Sequence, residues 1–95
     1  MIGDTDFHLW TEWLSHYLER CQRILRARER QELAGALHHG VGSTVALSQT
    51  VGERTAREGR WLVDFLVGVE DPALRGALAA EAVARLRGTS HAAYN

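Results

Sequence analysis

The chain has 95 residues, enough for one small domain. With 45% hydrophobic and 24% charged residues it is composed like an ordinary globular protein, neither a disordered tail nor a membrane protein. Eleven basic and twelve acidic side chains leave a formal charge of −1, so no long-range field draws it to nucleic acid or an anionic bilayer.

One proline and few β-branched runs predict an all-α fold. Asp4, Thr5 and Asp6 offer N-cap oxygens ahead of the first periodic segment. Its apolar positions, Phe7, Trp10, Leu14, Tyr17, Cys21 and Ile24, alternate three and four apart as a heptad seam, flanked by Trp13, Leu18 and Leu25. From Arg26 to Glu32 good helix formers continue but only one alanine is apolar, so helix is expected without burial. A second stripe follows at Leu33, Leu37, Val41 and Val45, with Ala34 and Ala36 beside it. Gly40 and Gly42 weaken that helix by up to ~1 kcal/mol each, so they serve close packing or mark a bend. Ser48 to Gly59 is expected as exposed helix or loop. Trp61, Leu62, Phe65, Leu66 and Val69 then restore helical spacing. Asp71-Pro72 reads as an N-cap followed by proline in the first turn. The last helix carries Leu74, Leu78, Ala82 and Leu86 and stops at Gly88. Residues 1–88 thus form a single helical domain, and 89–95 a C-terminal tail.

Length constrains the architecture further. An unbroken helix from Asp6 to His38 would run ~50 Å, whereas a compact chain of this size is roughly 30 Å across. Either the helix breaks near Arg26–Glu32 or it packs on a second copy. The seam and the three tryptophans favour a homodimeric bundle of a long N-terminal helix and a helical hairpin. Trp10, Leu14, Tyr17, Cys21 and Ile24 are its candidate interface.

The acidic start, Met1 to Asp6, lacks the positive charge of a signal peptide. The most apolar stretch, Trp61 to Val69, is far below the roughly 18 residues that span a bilayer. A cytoplasmic protein with no membrane or nucleic-acid partner is expected. All basic residues are arginine, a bias of GC-rich coding DNA such as that of actinobacteria. Lone Cys21 can form neither an internal disulfide nor a cysteine zinc site. His8, Glu12 and His16 share one helix face, but the histidines stand about 12 Å apart along the axis, too far for one metal. No metal and no cofactor is implied.

Residues Glu29 to Leu47 read ERQELAGALHHGVGSTVAL. They resemble the dimerisation and phosphoacceptor segment of sensor histidine kinases, in the branch with pattern E-R-x-x-I-A-R-E-L-H-D-x-x-G-x-x-L. Glu29-Arg30, Leu33-Ala34, Leu37-His38, Gly42 and Val45 carry the match, and Pro72–Arg87 is weakly similar to the family's second hairpin helix. The resemblance implies that His38 is the phosphoacceptor, with His39 in the position of the acid that orients its ring. Ala36 replaces the family's preceding glutamate. After Arg87 there is no nucleotide-binding motif, so autonomous kinase activity is not expected.

The sequence therefore predicts a non-catalytic dimerisation or signalling module with a possible protein partner, and His38 and His39 as its candidate chemical residues. The alternative is a small all-α ligand or cofactor binder, or an enzyme, with a tryptophan- and histidine-lined pocket between helices.

Overall fold

A computed structural model describes residues 4–88, and every regular element among them is helical: α1 (Asp4–Ile24), α2 (Ala27–His38), α3 (Thr44–Thr50), α4 (Glu53–Val67) and α5 (Pro72–Arg87). α1 packs on α4 and α5, α2 packs mainly on α5 and also on α4, and α3 lies on α4. Residues 89–95, expected as a tail, lie outside the described residues. Asp4, Thr5 and Asp6, expected to cap the first helix, instead lie within α1, and the residue before it lies outside the described residues.

The expected long N-terminal helix is interrupted. α1 ends at Ile24, and Arg26 is extended (φ −72°, ψ 163°), immediately ahead of α2. The polar run that looked like exposed helix supplies the fastenings of this break. Glu29 Oε1 accepts from the Arg26 backbone N–H at 2.8 Å, as an N3 glutamate does in a capping box. Arg30 donates to the Leu25 carbonyl at 2.6 Å and to that of Gln22 at 3.4 Å. From α4, Arg54 donates to the Ile24 carbonyl at 2.6 Å and pairs with Glu29. The carbonyls that α1 leaves open at its end thus find charged donors. Bonding of its carboxylate to the Arg26 N–H, and then to Arg54, holds Glu29 below the usual carboxylate range.

Breaking there lets the chain cover itself. α1, at about 32 Å for its length, runs nearly the full extent of a body of 36 × 29 × 19 Å. Its buried stripe is Leu14, Leu18, Cys21 and Leu25, rotated away from the anticipated seam so that Trp10 and Trp13 stay outside. Leu33, Ala34 and Leu37 of α2, Leu47 of α3, Leu62 and Leu66 of α4, and Leu78, Ala82 and Leu86 of α5 complete one core. Arg85 ties α5 to α1 by donating to Ser15 Oγ at 2.6 Å while also pairing with Glu81 at 2.7 Å.

The second stripe is cut short as well. α2 stops at His38, and Gly40 adopts a left-handed φ of +88°. Val41 is therefore half-buried in a loop and Val45 is exposed, although Leu33 and Leu37 are buried as their spacing requires. The undefined stretch from Ser48 to Gly59 resolves into the end of α3 and the start of α4. The C-terminal reading holds throughout: Asp71 Oδ1 accepts from the Ala73 N–H at 2.9 Å, and Gly88 closes α5 at φ +77°. No helix among the described residues is long and apolar enough to cross a membrane.

At Gly59, α4 lies directly against Leu33 of α2. A Cβ at that position would sit 2.9 Å from Leu33 Cδ1, inside a fully buried side chain. At Gly76, on α5, an added Cβ meets nothing within 4 Å. Gly59→Ala is expected to destabilise by about 1–3 kcal/mol through overpacking, partly offset by helix propensity. Gly76→Ala is expected to stabilise by up to about 1 kcal/mol. Thermal melts followed by circular dichroism should therefore shift in opposite directions.

Candidate functional site

The buried stripe of α1 takes leucines and a cysteine, so the larger aromatics fall on the flank beside α4. There Tyr17 stacks on Phe65 with centroids 4.9 Å apart, and Trp10 tilts against the same ring at 5.9 Å. Phe65 is half-buried by these contacts. On the same two helices Leu9, Trp10, Trp13 and Trp61 are 53%, 36%, 61% and 47% exposed. Trp13 carries His16 edge-on at 6.4 Å, and the Arg60 guanidinium lies over Trp61 at 4.7 Å. Single exposed hydrophobics are normal on a folded protein, whereas several large ones on two helices that pack together make this a candidate docking face. Aromatic side chains are also the ones that contribute most when an interface closes.

Charges lie along this face in a definite order. At the α1 C-terminal end, Glu58 pairs with both Arg20 (3.2 Å) and Arg57 (3.7 Å). Two guanidiniums thus share one carboxylate and leave that end positive. At the other end of α1, Asp6 is exposed.

Of the residues anticipated for an interface, Trp10 lies on this exposed face, while Tyr17 and Ile24 are half-buried. Leu14 and Cys21 are fully buried within the chain's own core. Trp61, taken from sequence with the other tryptophans as a core or interface anchor, is exposed, whereas Phe65 and Leu9 were not marked for an interface; the i, i+4 spacing of Trp61 and Phe65 on α4 is the signal that points to Phe65.

His38 and His39 stand apart from the tryptophan face. They are the last residue and the C-cap of α2, both exposed, with ring centroids 5.6 Å apart. His38 borders a groove of about 490 Å³ between α2 and α5, walled by Leu37, Ala79, Ala80 and Val83, with Arg87 at its rim. No tryptophan lines this groove, so the anticipated tryptophans and histidines are not brought together there. His8, Glu12 and His16 are exposed, and no cluster of three or more metal-ligating side chains occurs among the described residues. His91 lies outside them.

Compared with known protein families, with characterised proteins and with solved structures, the chain has no significant match.

Cys21 is the only cysteine, and its Sγ donates to the Glu58 carbonyl at 3.6 Å. Burial, and secondarily the negative Glu58, raise its thiol from 9.0 to about 11. The folded thiol keeps a proton that the unfolded chain releases at lower pH. Stability contributed by this difference is full below pH 9 and is lost as pH rises through about 11. We expect a decline in melting temperature across that window that is smaller in Cys21→Ala. Alkylation by iodoacetamide near pH 8 should be slow in the folded protein and fast in denaturant.

Proposed function

We propose that the chain is a helical dimerisation module that works in signalling without catalysis of its own, and that it acts through the aromatic face of α1 and α4. The observation that carries this is the exposure of Leu9, Trp10, Trp13 and Trp61 on the two helices that hold the Trp10–Phe65–Tyr17 cluster, in a chain that buries its leucines. Desolvating such a face contributes roughly 25 cal/mol per Å² of apolar surface, and a rigid aromatic cluster loses little side-chain entropy on docking. The face lies mainly on α1, the helix from which the sequence predicts dimerisation. It keeps Trp10 and Tyr17 of the anticipated seam and adds Trp13 from its flank. The compartment we assign is the reducing cytoplasm, where a buried Cys21 stays a thiol.

A second reading has its own support. The segment Glu29–Leu47 resembles a histidine-kinase phosphoacceptor segment, and His38 is exposed beside a groove that also holds Arg87, a cation suited to a phosphoryl group. In that reading His38 receives phosphate from a separate donor. The termination of α2 at His38 departs from a mid-helix acceptor, and His39 supplies no carboxylate to orient it. The alternative of a tryptophan- and histidine-lined ligand pocket has less support, since the groove at His38 has no tryptophan wall.

Sedimentation velocity tests the leading reading. The wild type is expected to sediment as a dimer, and Trp13→Ser with Trp61→Ser as a monomer. Because both side chains are largely exposed, the variant should keep the wild-type stability within about 0.5 kcal/mol per site. A double variant that still dimerises, or a wild type that is monomeric, overturns it. For the second reading, the chain would be incubated with phosphoramidate and weighed intact. A phosphate adduct lost in His38→Gln and kept in His39→Gln supports a phosphoacceptor, and absence of any adduct rules it out.

A further inference from the structure

The order of side chains along the open face points to the orientation of its partner. Along α1, Asp6, Trp13 and Arg20 are exposed, with Leu9, Trp10, His16 and the half-buried Tyr17 between them, and Trp10, Tyr17 and Arg20 touch α4. Counting seven residues from Trp13 in either direction reaches Asp6 and Arg20, each about 10 Å away along the axis. Counting four reaches Leu9 and Tyr17. The series is therefore apolar in the middle, acidic at one end and basic at the other. α4 reinforces the basic end, because Arg57 joins Arg20 on the single carboxylate of Glu58.

A surface with this order is complementary to itself in one arrangement only. A two-fold axis parallel to α1 would set Asp6 against Asp6 and Arg20 against Arg20. A two-fold axis perpendicular to α1 at Trp13 sets each acidic end against a basic end and lays the aromatic centres on each other. Closed dimers use such isologous contacts, in which residue i meets j and j meets i. A surface built for an unrelated partner has no need to complement itself.

We propose that the α1–α4 face binds the same face of a second copy, antiparallel about a two-fold axis at Trp13, with Asp6 of each chain opposite the partner's Arg20. This rests on the aromatic face being the interface, and adds the identity and sense of the partner. The central aromatics supply the affinity. The end charges supply register, since like charges brought together at an interface oppose association.

A charge-exchange experiment tests it. Asp6→Arg and Arg20→Asp are made singly, and each is checked for wild-type helical content by circular dichroism. Each alone meets like charge at both ends of the antiparallel dimer, so its dimer dissociation constant should rise about tenfold or more. In an equimolar mixture of the two, both ends of the mixed pair meet opposite charge, and dimerisation should return close to wild-type strength. The chain carrying both substitutions should recover in the same way. Trp13→Ser, run alongside, separates the two levels of inference. If Trp13→Ser abolishes the dimer but the charge variants neither weaken nor complement it, the antiparallel arrangement is wrong and the face remains the interface. Should Trp13→Ser dimerise like the wild type, both fall. A wild type that stays monomeric while a different protein binds the face overturns the second copy as the partner.

Discussion

The interruption between Ile24 and Ala27 is the constraint on which the remaining structure depends. Ending a helix exposes carbonyls that must find donors, and ending it beside a buried leucine makes that requirement sharper. The chain answers with two arginines and a glutamate: Arg30 and Arg54 donate to the open carbonyls, while Glu29 caps the next helix and holds Arg54 in place. These bonds involve ionised groups, which makes them stronger than neutral ones. Because Arg54 belongs to α4, the same bonds that end α1 also fix where α4 begins beside it. A 33-residue rod is thereby exchanged for two helices that lie on α4 and α5.

That exchange determines what is left outside. Once α2 packs on α5 and α1 on α4 and α5, the interior is filled by leucines, small residues and Cys21. Close approach is required where α4 passes α2, and Gly59 provides it against Leu33. No tryptophan enters that core; all three stay exposed on α1 and α4, and Trp10 rests against Phe65, which Tyr17 stacks on. The aromatic face is thus a by-product of the core's dimensions as well as a candidate means of association. Its position on α1, the longest helix, gives it length and a straight axis.

The paired histidines occupy a different part of the molecule and a different kind of structure. Helix α2 ends under them because Gly40 takes a left-handed conformation that side chains rarely adopt. They consequently project from a helix end into solvent, one of them beside the α2–α5 groove. A ring in that setting is accessible to a donor molecule but lacks a neighbouring carboxylate to fix its tautomer. The proposed association and any chemistry at His38 would therefore belong to separate surfaces, which can be altered independently.

The sequence by itself determined the fold class, the C-terminal helix from Asp71 to Gly88 with both of its caps, and the burial of Leu33, Leu37, Leu74, Leu78, Ala82 and Leu86. These are local matters: cap oxygens, a proline in the first turn, a glycine stop and spacings of three and four residues act within one turn of helix. A break near Arg26 was one of two alternatives that length allowed, and the sequence could not choose it, because Arg26 to Glu32 are good helix formers and the reason for breaking lies partly in Arg54, some thirty residues away. The face that α1 buries was equally hidden. Two adjacent stripes, Trp10–Leu14–Tyr17–Cys21 and Leu14–Leu18–Cys21–Leu25, satisfy helical periodicity equally well, and only the volume available between α4 and α5 selects the second. Tertiary packing alone therefore decided that the leucines go in and the tryptophans stay out, and with that choice it created the candidate interface.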